Sequence, residues 1–271
     1  MSRFEEPRLI LTGSLRSGPV LLLQFFLNPI LFALFALWLL IAEATVWQLA
    51  LNVVLAVVIV AGSLLLHGGT LNYFSDRFRD ESAGVASAFG RALRHLGATA
   101  VCAIVVYWVW TQAGQLGDYN ETVPTYLRST LPALLRQHIS LGLLTNLYDV
   151  AVFLLRWVVV PGLLLPLLLR AADQGFRGFG RAGWTAWKST IASFQYWLIL
   201  VIAALVGVYA SDKIMDWRPT SKDTTFSTET ASLVLRLFFA YLLGLFSWLL
   251  TCALIGRRGW LGKNLSGDSA A

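Results

Sequence analysis

The sequence has few charged residues for its length. Charged residues make up 13% of the chain, whereas hydrophobic residues make up 57%. A soluble globular domain usually carries about 25% charged residues, because its surface faces water. So few charges cannot cover a surface of that kind. The composition therefore excludes an ordinary soluble domain and indicates a protein that is embedded in a membrane.

Cysteine and histidine are scarce as well. The chain has two cysteines, Cys102 and Cys252, and three histidines, His67, His95 and His138. Both cysteines fall inside apolar runs, which indicates buried reduced thiols rather than a disulfide. The histidines are scattered along the sequence and form no recognisable metal-binding set. We therefore predict neither a metal site nor any other cofactor.

Signatures of common enzymes are absent from the sequence. It contains no GxxxxGK[ST] phosphate loop, no HExxH zinc helix and no GxSxG nucleophile turn. These absences favour a non-enzymatic protein, although a lipid-modifying enzyme that uses Asp118 or Asp149 as an acid or base remains an alternative.

The net charge of +6 follows from the placement of basic residues around the apolar runs, so we expect no nucleic-acid partner.

Long apolar runs are the main feature that the sequence does contain. A run of about 18 or more apolar residues is typical of a membrane-spanning helix, because a helix satisfies its own backbone hydrogen bonds in lipid. We therefore predict an all-α fold with one integral membrane domain, residues 1–271: a polytopic transmembrane helix bundle of six spans with amphipathic interfacial helices in the cytoplasmic loops. The spans are predicted at residues 19–42, 47–67, 97–113, 147–169, 191–210 and 232–255.

The distribution of arginine and lysine predicts the orientation of the spans, because cytoplasmic segments carry an excess of both. Most of the 21 basic residues fall at the chain ends and in alternate loops: Arg3, Arg8, Arg16, Arg77, Arg79, Arg91, Arg94, Arg170, Arg177, Arg181, Lys188, Arg257, Arg258 and Lys263. The remaining loops carry only Arg128, Arg136, Lys213, Arg218 and Lys222. We therefore predict a multi-pass protein of the plasma membrane, specifically a bacterial inner membrane, with both termini in the cytoplasm.

Local signals predict where two of the spans begin and end. Asn28 and Pro29 suit the N-cap and first position of a helix, so an alternative to the span at 19–42 is a shorter first span that begins near Pro29. Gly68 and Gly69 follow His67 and predict that the second helix stops there. The first two spans are then expected to form a tight antiparallel hairpin.

The segment FGRA occurs twice, at residues 89–92 and 179–182. Each copy lies in a basic loop between two apolar runs, which suggests an approximate duplication of a span, an interfacial helix and a second span. Aromatic and basic residues on separate faces are typical of helices that lie at a membrane surface. We predict that Arg91 and Arg181 hold equivalent positions there. Anionic lipid headgroups or a partner protein are expected to contact Arg91, Arg94, Arg177, Arg181 and Lys188.

Arg156 is the most unusual residue in the apolar runs. If the fourth span begins at Leu147, Arg156 lies about 13 Å inside it, at 1.5 Å per residue. A charge at this depth normally faces a bundle interior with a polar partner. Asp149 and Arg236 are candidates to share such an intramembrane site. Alternatively, the span begins near Ala151, and Arg156 extends outward to the membrane surface.

Two prolines, Pro161 and Pro166, follow Arg156 in the same span. Each removes a backbone hydrogen bond and is expected to kink the helix. Transporters build substrate sites at such breaks. The combination of Arg156 with both prolines is therefore the best indication of a polar site in the interior of the bundle.

These features favour two functions. The first is a non-enzymatic structural, assembly or accessory subunit of a membrane complex. Its expected partners are anionic lipid headgroups and other membrane or cytoplasmic subunits. The alternative is a transporter or permease subunit with a polar site on the fourth span. The sequence names no substrate for either function.

Overall fold

The computed structural model describes residues 17–42, 45–78, 84–217 and 226–267 of the chain. All regular structure in these ranges is helical, and they contain no β-strand. Six of their helical segments are long and apolar enough to cross a membrane. The predicted all-α fold with six spans is therefore confirmed. Some basic residues used to predict the orientation lie outside the described ranges, namely Arg3, Arg8, Arg16, Arg79, Arg218 and Lys222.

The spans are joined by short helices. In chain order, the described helices are α1 (Gly18–Leu40), α2 (Val46–Arg77), α3 (Val85–Arg94), α4 (Leu96–Gln115), α5 (Thr122–Thr130), α6 (Ala133–His138), α7 (Leu141–Leu154), α8 (Val160–Gln174), α9 (Arg181–Ile191), α10 (Phe194–Ala204), α11 (Ser211–Asp216) and α12 (Phe226–Gly267). The first three spans are α1, α2 and α4, and the sixth lies in α12. The fourth span combines α7 and α8, and the fifth combines α10 and α11.

Helix α1 runs without a break through Pro29. The helix begins at Gly18, which agrees with the span predicted from residue 19 and contradicts the alternative start near Pro29. Proline has no N–H to donate to the carbonyl four residues earlier, which is that of Phe25. The hydroxyl of Tyr241 on α12 donates to this carbonyl instead, at 2.9 Å. A side chain from another span thus replaces the bond that the proline removes, and the helix continues.

The same compensation occurs at Pro166 in α8. This proline leaves the carbonyl of Gly162 without its usual helical donor. The hydroxyl of Tyr196 on α10 donates to that carbonyl at 2.7 Å, and the Tyr196 side chain is fully buried. Because lipid offers no water to a free carbonyl, this bond is what permits a proline inside the span.

Helix α2 continues to Arg77, so the prediction that Gly68 and Gly69 end it is wrong. The two glycines serve packing rather than termination. A Cβ atom at Gly69 would lie 2.7 Å from the ring of Phe89 on α3. The absence of a side chain therefore lets α3 lie directly against α2. Local sequence signals missed this because the reason for the glycines lies on another helix.

The described spans pack closely at one end of the bundle, which carries Arg91, Arg94, Arg177 and Arg181 and is called the basic end below. Asn72 on α2 is fully buried there. Its Nδ2 donates to the carbonyl of Ala88 on α3 at 3.3 Å and to that of Ala172 on α8 at 3.0 Å. One amide group thus ties three helices together.

Arg91 on α3 forms a second tie, one turn further along α2. Its guanidinium donates to the carboxylate of Asp76 on α2, and its Nε donates to Asp173 on α8 at 3.1 Å. Burial by itself would lower the pKa of Arg91, but hydrogen bonds and negative charge from both aspartates outweigh burial and raise it. Arg91 therefore remains charged over the ordinary pH range.

The two FGRA segments have different local surroundings, and the prediction that Arg91 and Arg181 hold equivalent positions at the membrane surface stays a prediction. Arg91 lies in the last turn of α3 and is ion-paired with two aspartates. Arg181 is the first residue of α9, and its side chain is exposed. Phe179 belongs to the 3-10 turn that precedes α9, whereas Phe89 packs on Gly69. Only the broader plan of span, short helix and span occurs in both loops.

Replacement of Tyr196 by phenylalanine tests the compensation at Pro166. The variant leaves the Gly162 carbonyl without a donor, which is expected to cost about 1–3 kcal/mol. Thermal unfolding of the detergent-purified protein should show a lower Tm. Tyr126→Phe is the matched control, since this tyrosine is 67% exposed. In Tyr196→Phe/Pro166→Ala, the alanine N–H restores the helical bond and part of the Tm. A Tyr196→Phe variant as stable as Tyr126→Phe contradicts the proposed compensation.

Candidate intramembrane ligand site

Two spans each contain a π-helical turn, in which backbone hydrogen bonds reach one residue further than in an α-helix. The first covers Leu155–Val159, where the N–H of Val160 donates to the carbonyl of Leu155. The second covers Leu205–Ala210. Pro161 lies two residues after the end of the first turn, and the wider turn relieves the clash of its ring with the preceding turn. Such turns are rare and are often found at functional sites.

The second π-helical turn lies against α12 at Gly207. A Cβ atom at this position would overlap the side chain of Ser247. The Ser247 hydroxyl donates to the carbonyl of Ala203 at 2.6 Å, and the hydroxyl of Ser211 donates to that of Ala240 at 3.2 Å. Hydroxyl groups therefore bond backbone carbonyls on both sides of the wider turn, and the glycine permits the close approach.

A cavity of about 640 Å³ lies between the two π-helical turns. Its walls come from the third, fourth, fifth and sixth spans, and on the fifth span its lining runs from Leu200 to Met215, near the end opposite the basic end. The walls are mainly apolar, with polar groups from Ser211, Asp212, Ser247 and Thr251. Its size and its apolar lining with a few polar groups are those of a ligand site.

Arg156 lies beside this cavity and contacts the residues that form one of its walls. Its Cζ atom is 3.9 Å from the ring centroid of Trp110 and 5.4 Å from that of Trp157. The two tryptophan rings meet edge to face at 5.3 Å, and both line the cavity. The cation therefore stabilises the aromatic wall by cation–π contact. No carboxylate of the described residues lies within salt-bridge distance of Arg156.

The helix that carries Arg156 begins at Leu141, before either predicted start of the fourth span. The hydroxyl of Ser140 caps it by accepting from the N–H of Leu143 at 3.1 Å. Arg156 is half-buried, and its guanidinium lies against Gly114 near the end of α4. The side chain thus extends away from the basic end, in the direction that the alternative prediction gave it, and reaches tryptophan rings.

The three residues predicted to share a polar site have separate contacts. Asp149 is exposed. Arg236 donates to the carbonyls of Met215 and Trp217, each at 2.7 Å, and so caps the end of α11. No hydrogen bond or ion pair joins these two residues to Arg156 or to each other among the described residues. A common site for the three remains a prediction. Arg156 contacts the cavity wall through Trp110 and Trp157, and Arg236 contacts it through the carbonyl of Met215.

The residues predicted to contact headgroups are placed differently from one another. Arg91 is held by Asp76 and Asp173. Arg94, Arg177 and Arg181 are exposed at the basic end, and the Nζ of Lys188 lies 5.6 Å from the ring centroid of Trp184. Asp118, a candidate acid or base, is exposed. Within the described part of the chain, no group of three or more His, Cys, Asp or Glu residues is arranged to hold a metal ion.

Several cavity residues were not selected from the sequence. Gly207 and Ser211 lie four residues apart on the fifth span, and Ser247 and Thr251 are spaced likewise on the sixth. Small residues at this spacing let membrane helices approach closely, and the pattern was available in the sequence as a signal of contact. It does not show which spans meet.

Comparisons of the chain with protein families, curated proteins and solved structures found no match.

Replacement of Gly207 by alanine tests the close contact at the second π-helical turn. The added methyl group overlaps Ser247 and is expected to destabilise the protein by about 1–3 kcal/mol, with a lower Tm in detergent. Gly244→Ala is the control, because Gly244 lines the same cavity and has no atom within 4 Å of a Cβ position. Adding Ser247→Gly should restore part of the lost Tm. Equal Tm values for Gly207→Ala and Gly244→Ala would exclude this contact.

Proposed function

We propose that this integral membrane protein is a transporter or permease subunit that accepts a lipid-like molecule in the cavity between its third and sixth spans. The observation that carries the proposal is the placement of two π-helical turns, from two different spans, around one cavity. Transporters form their substrate sites from interrupted helices near the middle of the membrane. An irregular backbone inside a membrane is tolerated where it lines a cavity or is buried in protein.

The lining of the cavity supports an apolar or amphipathic substrate. Tryptophan, proline and aliphatic side chains form most of the surface. Ser211 and Asp212 lie toward the end opposite the basic end, where a polar group of the substrate meets a hydroxyl and a carboxylate. Ser247 already donates its hydrogen to Ala203 and offers only an acceptor. A strongly polar solute would find few partners here, whereas a hydrocarbon chain fits the walls.

Arg156 acts in this proposal as a positioning residue. It contacts Trp110 and Trp157 rather than the cavity itself. The tryptophan rings then form a wall of defined shape, and the planar guanidinium suits an aromatic face better than a lysine ammonium does. The sequence placed Arg156 at the centre of the transporter alternative, and the geometry supports that alternative through the aromatic wall.

A bulky residue in the cavity tests the proposal. Gly244→Trp places an indole in open space within the cavity, since no atom lies within 4 Å of a Cβ there. We expect the cavity-lining segments of this variant to crosslink several-fold less than those of the wild type to a phospholipid that carries a photoreactive diazirine in its acyl chain. Peptide mapping by mass spectrometry locates the crosslinks in reconstituted vesicles. Gly142→Trp is the control, because it adds the same side chain to an exposed position outside the cavity.

Two results contradict the ligand site. One is an absence of crosslinks on the cavity-lining segments of the wild-type protein. The other is equal crosslinking of these segments in Gly244→Trp and Gly142→Trp. The variants must retain their Tm for the comparison to count, and Gly244→Leu supplies a smaller obstruction if the tryptophan variant does not fold.

The accessory subunit predicted from the sequence is the second candidate function. The hairpin of α1 and α2 favours it, because large apolar side chains of both helices remain exposed, among them Leu39, Val46 and Val57. Another membrane subunit is an alternative to lipid as the neighbour of this surface. Stable co-purification of such a subunit in mild detergent supports this role, and recovery of the chain alone under several gentle conditions contradicts it.

The proposal includes a bacterial inner membrane location with the basic end and both termini in the cytoplasm. Cysteines introduced at Ser87 and Thr122 test this orientation, because both positions are exposed and lie at opposite ends of the bundle. We expect a membrane-impermeant maleimide to label Thr122→Cys in intact cells and to label Ser87→Cys only after lysis. The wild-type protein gives the background of Cys102 and Cys252. The reverse pattern contradicts the orientation.

A further inference from the structure

A second cavity, of about 860 Å³, lies at the basic end of the bundle. Arg94 and His95, at the junction of α3 and α4, line one side of it. Gln174 and Arg177, at the end of α8 and in the 3-10 turn after it, line the other side. This cavity shares no lining residue with the cavity between the third and sixth spans, and its lining is more polar and carries two arginines.

The fold brings the two arginines together through Gly175. This residue has a φ of 63°, a left-handed conformation that favours glycine, and it ends α8. A Cβ atom at Gly175 would lie 2.8 Å from the Nδ1 of His95. Only glycine therefore allows the turn to lie against the α3–α4 junction. This contact brings Arg177 and Arg94 to the same cavity, although the two residues are far apart in the sequence.

The positive charge of this cavity is not neutralised by the described residues around it. No aspartate or glutamate lines it. Asp173, the acidic residue next to Gln174, already accepts from Arg91 at 3.1 Å and from Gln174 at 3.3 Å. Arg94 and Arg177 are exposed and form no ion pair in the described part of the chain. Their guanidinium groups are therefore free to bind an anion.

Backbone donors add to the two arginines. Gly97 and Ala98 line the same cavity and belong to the first turn of α4. The N–H groups of a first turn have no acceptor within their own helix, and the helix dipole favours an anion at this end. His95 precedes the helix without capping it through its side chain. The cavity thus combines two planar cations with unused backbone donors.

We propose that this cavity binds a phosphate group through Arg94, Arg177 and the first turn of α4. Two guanidinium forks match the tetrahedral oxygens of a phosphate monoester or diester. The group belongs either to the headgroup of an anionic phospholipid or to a soluble phosphate compound. The site does not rest on the transport function, because its residues lie outside the other cavity.

The test compares three full-length proteins. The first is the wild type, and the second is the cavity variant Arg94→Gln/Arg177→Gln. The third is the control Arg181→Gln/Lys188→Gln, which loses the same charge from exposed residues at the same end but outside the cavity. Equilibrium dialysis measures binding of radiolabelled inorganic phosphate in an uncharged detergent. The proteins are also reconstituted in nanodiscs of phosphatidylcholine mixed with phosphatidylglycerol. Native mass spectrometry then measures how much phosphatidylglycerol stays bound to each protein.

We expect the wild type and the control to bind at least one probe, and the cavity variant to bind that probe about tenfold more weakly or worse. Binding of inorganic phosphate identifies a soluble compound as the source, and binding of phosphatidylglycerol alone identifies a headgroup. If the cavity variant and the control variant lose binding equally, the probe is attracted by the general positive charge of this end, and the site is overturned. Unchanged binding by the cavity variant, or no binding by the wild type, also overturns it. Arg177→Gln alone repeats the test if the double variant does not fold.

Discussion

A carbonyl that loses its helical donor inside a membrane has no water to replace it, and this constraint governs how the spans meet. Pro29 and Pro166 each free a carbonyl, at Phe25 and Gly162. A tyrosine from a different span bonds each one: Tyr241 of the sixth span and Tyr196 of the fifth. The prolines thus form specific links between helices. Pro161 is accommodated differently, since a π-helical turn precedes it and opens the wall of the cavity.

The two ends of the bundle are built on different interactions. At the basic end, Asn72 and the ion pairs of Arg91 tie α2, α3 and α8 together over a close-packed core. Polar bonds between helices are valuable there, because apolar contact alone does not distinguish helix from lipid. Toward the other end, Arg156 stacks on aromatic rings and the spans leave a cavity between them. A fixed end and an open end suit a protein that admits a ligand between its spans.

Individual residues show how far the sequence predicted the candidate sites. Arg156 was singled out by its depth, and it does lie beside the cavity, but its contacts are Trp110 and Trp157 rather than Asp149 or Arg236. Arg91 and Arg181 were expected to hold equivalent positions at the membrane surface, whereas Arg91 is ion-paired with two aspartates from other helices. These partners come from distant parts of the chain, and no local pattern encodes which spans become neighbours.

The sequence by itself determined that the chain forms six membrane-length helices, because apolar runs of that length in lipid have no other way to satisfy their backbone. The tertiary structure decided where those helices end and what their irregular residues do. Helix α2 continues through Gly69, on which Phe89 of α3 packs. Helix α8 ends at Gly175, against which His95 lies. Glycine is a common local stop signal in a sequence, whether or not the helix ends there. The difference between the two glycines depends on contacts with other helices, and only the folded chain supplies those contacts.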